Sequence, residues 1–360
     1  MSKPSLSLDR TMGMLMGVML GDSLGAPHES KINAKLKYTG KLEYEWKGGG
    51  RFYPKLFGIG EFTDDSEQMI TLARSLIRNG KYNRDDVILS YMKWAGTCSM
   101  LGKNTARLFG GKITTIKGYQ NRFDRFFTDS ISRESQQSNG ALMRCAPLAC
   151  LWNNNDVMTD VNLSNPSQVC RDAEQVYLAI LRLGLIGALS SGAQRTGDQR
   201  SGALGSGDLA ECWNYIKKIA ETKEVKNCIQ MVEDGKDYDL GARGKTKGWV
   251  IHGLYTALFC FYHLLPAGKS FSECMSWVIG GHPGADTDTI GAISGAVCGA
   301  YIGFNQFDSI TKQNIPHVYT WEISSPQTDP KRIPSLDRPK EYRIASTEEL
   351  ENLATQLIKL

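Results

Sequence analysis

Two short acidic clusters stand out in the sequence because each pairs aspartates with threonine hydroxyls. The first is the run Thr-Asp-Asp-Ser at 63–66, and the second is Asp-Thr-Asp-Thr at 286–289. Each lies at the start of a segment with helical periodicity, where a single acidic residue is an ordinary cap. Four aspartates gathered together would repel one another unless a cation neutralised them, and oxygen ligands suit Mg²⁺, Mn²⁺ or Ca²⁺ rather than zinc. The residues by themselves leave helix capping and metal binding both open.

Two other interpretations of the second cluster can be tested against its neighbours. An EF-hand loop that began at Asp286 would need an oxygen ligand at its fifth position and Glu at its twelfth, where Ile290 and Val297 stand. A phosphoryl-transfer nucleophile of the Asp-x-Asp type should follow a buried strand in a βαβ domain. Here the run Gly-His-Pro-Gly-Ala at 281–285 precedes it, and the chain shows no strand–helix alternation. Neither interpretation fits.

Helical periodicity dominates the segments that must position these clusters, so we expect an all-α protein. We expect Asp65 to cap the helix after the first cluster and Gly80 to end it. The predicted helices are 8–20, 66–78, 85–94, 172–189, 208–220, 249–265, 287–301 and 346–360.

The predicted helix 287–301 carries glycine at every fourth position, at Gly291, Gly295 and Gly299. Small residues at this spacing share one helix face and let a second helix approach closely. Glycine also lowers helix propensity, so tertiary packing must hold this helix together. The partner is expected to be the apolar helix 249–265 or the first helix, 8–20.

Composition excludes several classes of protein. The 360 residues are 41% hydrophobic, which is enough for a large core, and the net charge of +4 is too small for a nucleic-acid-binding signature. The nine cysteines show no Cys-x-x-Cys spacing and are expected to be reduced thiols. No apolar run reaches the roughly 18 residues of a membrane span. We expect a cytoplasmic protein, with the nucleus left open.

No internal repeat or domain boundary is evident, which predicts a single domain over 1–360. The Gly/Ser-rich stretch at 190–207 is expected to be a surface loop within this domain. The Pro-rich segment at 324–345 is expected to be extended.

Four segments carry short motifs in a fixed order along the chain. They are GDSLGAPHE at 21–29, TDDS at 63–66, SNGALMR at 138–144 with Ala-Pro at 146–147, and DTDTIGAISGA at 286–296. In order and composition they resemble the motifs G-D-x-x-G-x-x-x-E, T-D-D-[ST], N-G-x-x-M-R-x-x-P and D-T-D-T-x-G-A-I-x-G-A of the ADP-ribosylglycohydrolase family. This is the family of the dinitrogenase-reductase-activating glycohydrolase and of ADP-ribosylarginine and ADP-ribosylserine hydrolases.

The resemblance implies an orthogonal helical bundle with a binuclear Mg²⁺ centre in a cleft, with Mn²⁺ as an alternative. It implies that Glu29 is an acid/base or gating carboxylate that acts together with Asp64 and Asp288. The implied metal ligands are Thr63, Asp64, Asp65, Asp286, Asp288 and Thr289. The implied contacts with the diphosphate or ribose are Ser138, Asn139, Gly140 and Ala141.

The activity implied by the resemblance is hydrolysis of the glycosidic bond between ADP-ribose and an acceptor. The acceptor would be a modified protein side chain or a small ADP-ribosylated compound, and the enzyme is expected to act as a monomer without membrane or nucleic-acid partners. The alternative is a catalytically inactive member that binds ADP-ribose or has a structural role. All six implied ligands and Glu29 are present, which favours the enzyme.

Two departures from the family pattern concern the substrate pocket. Some members carry Asp just before the glycine that corresponds to Gly102, where this chain has Ser-Met-Leu at 99–101. Many members have a histidine in a segment that corresponds to 163–166, which here reads Leu-Ser-Asn-Pro. Neither arginine nor serine specificity can therefore be carried over.

Overall fold

Helices make up most of the described structure, as the periodicity predicts. The structure is a computed structural model that describes residues 4–29, 36–48, 55–98, 101–152, 154–188, 209–236, 239, 247–321 and 339–360. The helices are α1 (Leu8–Glu29), α2 (Asp64–Asn79), α3 (Arg84–Ala95), α4 (Lys103–Leu108), α5 (Ile116–Phe126), α6 (Ser130–Glu134), α7 (Asn154–Val161), α8 (Gln168–Leu185), α9 (Leu209–Ile219), α10 (Lys223–Glu233), α11 (Val250–Phe259), α12 (Phe271–Met275), α13 (Thr287–Ile302), α14 (Ser309–Thr320) and α15 (Thr347–Ile358).

Short helical turns and one small hairpin complete the described secondary structure. Tight 3₁₀ turns lie at Ala146–Cys150, Phe304–Gln306 and Lys340–Tyr342, and wider π turns continue α11 and α12 at Cys260–Leu264 and Ser276–Gly280. The hairpin pairs β1 (Trp46–Gly48) with β2 (Lys55–Phe57) in antiparallel register. It is stabilised by the stacked rings of Trp46 and Phe57, whose centroids lie 4.0 Å apart.

The first helix is longer than the sequence predicts. It was expected to end at Leu20, but α1 continues through the first motif to Glu29, with Pro27 in its last turn. Residues seven positions apart lie on one face of a helix. The extension therefore places Asp22 and Glu29 on the same side of α1.

Helices α1 and α13 pack backbone against backbone along their glycines. A Cβ atom added to Gly295 would lie 2.1 Å from the carbonyl oxygen of Gly17, and one added to Gly17 would lie equally close to that of Gly295. The same contact recurs between Gly13 and Gly299 and between Gly21 and Gly291. The predicted close approach is confirmed, with α1 as the partner. No side chain larger than hydrogen fits at these positions.

The start of α2 differs from the prediction in one respect. Asp65 was expected to cap this helix, but the helix begins at Asp64 and the N-cap residue is Thr63, whose own side chain makes no capping hydrogen bond. The predicted end at Gly80 is confirmed, since this residue has the left-handed φ of 65° that glycine adopts without strain.

The remaining sequence predictions concern segments that the structure describes only in part. The 190–207 loop and most of the 324–345 segment lie outside the described residues, and within 339–345 the chain forms the Lys340–Tyr342 turn rather than a wholly extended strand. The single-domain organisation stays a prediction. All nine cysteines are free thiols, as expected. Within the described ranges, no helix is both long and apolar enough to cross a membrane.

Candidate functional site

The two acidic clusters come together because α1 holds the starts of both helices that carry them. On one side, the Thr287 hydroxyl donates a 2.8 Å hydrogen bond to the carbonyl oxygen of Gly25. On the other side, the Ser23 hydroxyl donates to the carbonyl oxygen of Gly60, just before the first cluster. Residues separated by more than 200 positions in the chain thus share one site.

Asp22 supplies the cap that the start of α2 lacks. This fully buried carboxylate accepts hydrogen bonds from the backbone N–H and hydroxyl groups of both Thr63 and Ser66, at 2.7 to 3.0 Å. Because the Thr63 hydroxyl donates its proton to Asp22, its oxygen lone pair remains available to a cation. Asp22 therefore orients a predicted metal ligand without being one, as outer carboxylates at metal sites do.

The two clusters lie side by side. The Thr289 side chain lies close enough to Asp65 to lower the pKa of that carboxyl, while within the second cluster the backbone N–H of Thr289 donates to Asp288 at 2.9 Å. Burial raises the pKa of Asp65 well above its usual range, and the Asp22, Asp64 and Asp286 carboxylates raise it further. Burial likewise raises the pKa of Asp288, with Glu29 and Asp65 adding to the effect. Each cluster thus experiences the negative charge of the other.

The electrostatics at Asp64 follow the same pattern. Burial raises the pKa of Asp64 to about 7, and the Asp22 and Glu67 carboxylates contribute to the rise. Carboxylates whose pKa values are raised by mutual repulsion are stabilised in their charged form by a cation placed among them. The site therefore favours a bound cation electrostatically.

One buried oxygen tests whether the residues fit a metal ion. Asp65 is 1% exposed, and its Oδ2 lies 3.1 Å from the Thr63 hydroxyl oxygen, whose proton is directed to Asp22. Oδ1 of Asp65 has no hydrogen-bond partner among the described residues. A buried carboxylate oxygen without a partner is costly, and a hard cation would satisfy it. The donor set, which is all oxygen, fits Mg²⁺ or Mn²⁺.

A second group of carboxylates lies at the C-terminal end of α1. Glu29, Asp286 and Asp288 each offer an oxygen, and these oxygens lie within 4.8 Å of one another. Glu29 was predicted as an acid/base or gating group, and the structure places it beside two predicted ligands. It is therefore close enough to act either on the substrate or on a cation.

Lys247 inserts a positive charge into this group. Its ammonium contacts the Glu29 carboxylate directly and lies 3.8 Å from Oδ1 of Asp286. Burial alone would lower the pKa of Lys247, but the Glu29 and Asp286 carboxylates outweigh this effect and raise it. Lys247 is therefore a charged member of the site.

The loop at 138–141 lies against the second cluster. The Asn139 side-chain amide donates a 2.7 Å hydrogen bond to Oδ2 of Asp286, and the Asn139 backbone N–H donates to the carbonyl oxygen of Gly248. Ser138 pairs with Trp249 in an antiparallel bridge. The predicted substrate loop thus borders the predicted metal ligands, although the Asn139 donors are engaged within the protein.

A buried ion pair holds the 138–141 loop in place. The guanidinium of Arg144, in the third motif, pairs with Asp160 and also donates to the Gly140 carbonyl and the Ser164 hydroxyl. The Ser164 hydroxyl in turn donates to Asn165, whose amide donates to Ser138. Arg144 therefore positions the loop from both ends.

Glu174 lies in the same buried region, and its two carboxylate oxygens have no hydrogen-bond partner among the described residues. Burial raises its pKa well above the usual range, and Asp160 raises it further while Arg144 opposes the rise. In the folded protein the carboxyl group therefore keeps its proton above the pH at which the unfolded chain releases it. Its contribution to stability is complete below about pH 4 and is lost as the pH rises.

We therefore expect Glu174→Gln to match the wild-type free energy of unfolding near pH 4.5 and to exceed it increasingly at higher pH. The gain should reach up to about 1.4 kcal/mol for each pH unit until the folded-state pKa is passed. Urea unfolding at pH 4.5, 6 and 8 measures this difference. The exposed Glu351→Gln on α15 serves as the control. Parallel pH profiles for wild type and Glu174→Gln would contradict the prediction.

Sequence reasoning missed the roles of Asp22, Arg144 and Lys247. Asp22 and Arg144 stand inside quoted motifs, so the motifs located them without assigning them a task. Lys247 lies in no motif. It stands just before the Gly-Trp pair that precedes α11, and nothing else in the local sequence distinguishes it.

Described residues at the two departures from the family pattern contact predicted site residues. The Gly102 backbone N–H lies 3.5 Å from Oδ2 of Asp64, while residues 99–100 are outside the described part of the chain. In the segment 163–166, Asn165 contacts Ser138 of the substrate loop. The segment 163–166 is therefore in contact with the predicted substrate loop.

The helical fold and the paired acidic site define a class of protein that comparison with known families identifies. The profile of the ADP-ribosylglycohydrolase family matches residues 3–327, nearly the whole chain. The chain belongs to the ADP-ribosylglycohydrolase family, and the resemblance inferred from the four motifs is confirmed.

Individual relatives are distant but span most of the chain. The ADP-ribosyl-(dinitrogen reductase) glycohydrolase of Rhodospirillum rubrum is 25% identical over 313 residues, which cover 86% of this chain and 90% of that protein. The ADP-ribosylhydrolase ARH3 of Mus musculus is 23% identical over 335 residues, covering 86% and 88%. A solved structure of an ADP-ribosylglycohydrolase-related protein complex aligns with a TM-score of 0.60 at 21% identity, over 98% of this chain and 97% of that one. The latter likeness concerns the fold alone.

Proposed function

We propose that this protein is a metal-dependent hydrolase that cleaves the glycosidic bond between ADP-ribose and an acceptor. The family and its named relatives indicate hydrolysis of ADP-ribosyl linkages. The observation that carries the proposal is the meeting of the two acidic clusters, in which the Thr289 side chain lies beside Asp65 while Oδ1 of Asp65 has no hydrogen-bond partner among the described residues. Such a site has oxygen ligands from two helix starts and a need for positive charge.

In this proposal the site holds two Mg²⁺ ions, with Mn²⁺ as an alternative. Bound there, such ions would supply Lewis-acid chemistry at the ribose and would lower the pKa of a water molecule. The ligands would be Thr63, Asp64, Asp65, Asp286, Asp288 and Thr289.

The side chains around the metal site would divide the remaining work. Glu29 lies at the edge of the acidic site, where a carboxyl group can transfer a proton during cleavage of the glycosidic bond. The backbone of the 138–141 loop would bind the diphosphate or ribose, since N–H groups of Gly140 and Ala141 suit an anionic ligand. Arg144 and Asp22 keep the loop and Thr63 in place.

The proposal is tested by Mg²⁺-dependent release of ADP-ribose from a panel of arginine-linked, serine-linked and nucleotide-linked substrates. We expect release from at least one member of the panel and loss of release when a chelator is added. Tight binding of ADP-ribose without turnover of any substrate would instead support the catalytically inactive alternative. The panel also identifies the linkage, which the departures at 99–101 and 163–166 leave open.

Glu29→Gln should keep ADP-ribose binding and lose turnover by about 10²–10⁴-fold, because the amide keeps the shape of the side chain and cannot take up a proton. Calorimetry with ADP-ribose and single-turnover kinetics measure the two effects separately. Glu233→Gln on α10, which removes the carboxylate paired with Lys217 of α9, is the control. Turnover close to wild type in Glu29→Gln would assign proton transfer to another group.

A further inference from the structure

Among the described residues, Lys247 brings a positive charge to the acidic site that the four motifs do not account for. Its ammonium contacts Glu29 and lies 3.8 Å from Asp286, two of the three carboxylates whose oxygens lie within 4.8 Å of one another, and Asp288 acts on it electrostatically. An ammonium ion at this position neutralises the group in much the same way as a divalent cation would. One set of carboxylates is therefore available to two different cations.

The backbone around Lys247 is anchored independently of its side chain. The Lys247 carbonyl oxygen lies 3.2 Å from Nδ1 of His252, and the next carbonyl, of Gly248, accepts a hydrogen bond from the Asn139 backbone. These contacts fix the point from which the side chain reaches the site. They would also survive replacement of the side chain, so a substitution at this position reports mainly on the charge.

We propose that Lys247 is an internal cation that competes with a divalent metal ion for Glu29 and Asp286. The ammonium neutralises these carboxylates while the metal is absent and must leave them when the metal enters. Lys247 thereby weakens metal binding at this half of the site relative to the half built from Thr63, Asp64 and Asp65. The inference rests on the proposed function, because it presupposes that the acidic site binds a divalent cation.

Removal of the charge should therefore tighten metal binding. We expect Lys247→Met, which keeps an unbranched side chain of similar length, to lower the dissociation constant for Mg²⁺ and Mn²⁺ by about tenfold or more, since a positive charge near the site opposes the cation. Lys247→Arg keeps the charge and should bind metal with an affinity close to wild type. A merely structural role of the side chain would not separate these two variants in this direction.

The experiment is a calorimetric titration of each metal, alone, into the full-length wild type and the two variants at one fixed pH. Lys269→Met, which removes an exposed charge paired with Glu273, is the matched control and should not change metal affinity. Thermal melts with and without Mg²⁺ provide a second readout, in which Lys247→Met should show the larger stabilisation by metal. If the Met variant does not fold, Lys247→Gln provides the same comparison.

The possible outcomes separate this inference from the proposed function. Tighter binding in Lys247→Met than in wild type and Lys247→Arg would support the competition. Measurable binding in wild type with equal or weaker binding in Lys247→Met would overturn the competition and leave the proposed metal site intact. An absence of binding in wild type and in all Lys247 variants would overturn both.

Discussion

Replacing Asp288 with Ala is expected to abolish tight divalent-metal binding and to reduce hydrolysis by at least about 100-fold, while the protein remains folded. Asp288 is 5% exposed and lies where Glu29, Asp65 and Asp286 all act on its carboxylate. Its removal deletes a proposed ligand at the junction of the two clusters. It also relieves like-charge repulsion, so the metal-free variant should be at least as stable as the metal-free wild type. Asp64→Ala should have the same consequences in the first cluster.

Calorimetry with Mg²⁺, together with thermal melts in the presence of a chelator, distinguishes a ligand role from a capping role. Loss of a helix cap would lower stability by roughly 1 kcal/mol without regard to metal. Loss of a ligand should remove the stabilisation by metal and leave the chelated protein intact. Asp234→Ala, which removes a surface carboxylate paired with Lys236, is the control. Undiminished Mg²⁺ affinity in both Asp288→Ala and Asp64→Ala would refute the metal site.

The second large effect is expected at Gly295, which touches no predicted ligand. Gly295→Leu should destabilise the protein by about 3 kcal/mol or more, because the added Cβ would lie 2.1 Å from the carbonyl oxygen of Gly17 and a backbone group cannot move aside as a side chain can. Helices α1 and α13 would have to separate. Since α13 begins at the second cluster and α1 ends at Glu29, we expect metal affinity to fall as well, because such sites tolerate displacements of only about 0.5 Å.

Thermal melts of Gly295→Leu with and without Mg²⁺ measure both consequences. A milder pair of variants keeps the test informative if the Leu variant does not fold. Gly295→Ala meets the same carbonyl oxygen, whereas at Gly96, which follows α3 with right-handed helical angles, the nearest atom to an added Cβ is 3.3 Å away in the preceding turn. Gly96→Ala should therefore destabilise the protein far less than Gly295→Ala. A higher melting temperature for Gly295→Leu, as helix propensity alone would give, together with unchanged metal affinity would exclude the positioning role.

Local sequence patterns predicted most of the helices of this protein and its family. The periodicity of apolar residues predicts the helices, since one face of a helix repeats every three to four residues and can be read within a single segment. The end of α2 at Gly80 follows from residues only a few positions apart. The order of the four motifs identified the family, and the family match confirms it.

The predicted helix boundaries were less accurate where tertiary packing overrides the local preference for ending a helix. The glycines at 21 and 25 and Pro27 read as helix-breaking, yet α1 continues to Glu29 because Gly21 and Gly25 pack on the backbone of α13. Asp65 was expected to cap α2, but a carboxylate from another helix does so. In each case the deciding contact comes from a different part of the chain.

Only the tertiary structure decided which groups face one another in the site. Asp22 lies 41 positions from Thr63 in the chain, and Lys247 lies 218 positions from Glu29. Nothing within one helix turn of either residue specifies such a partner, because these contacts depend on how α1, α2, α13 and the approach to α11 pack. The sequence by itself therefore determined the kinds of chemical group in the site and the helices that carry them. Their distances, and the ammonium of Lys247 among the carboxylates, follow from the close approach of α1 to α13, which brings distant segments within a few ångströms.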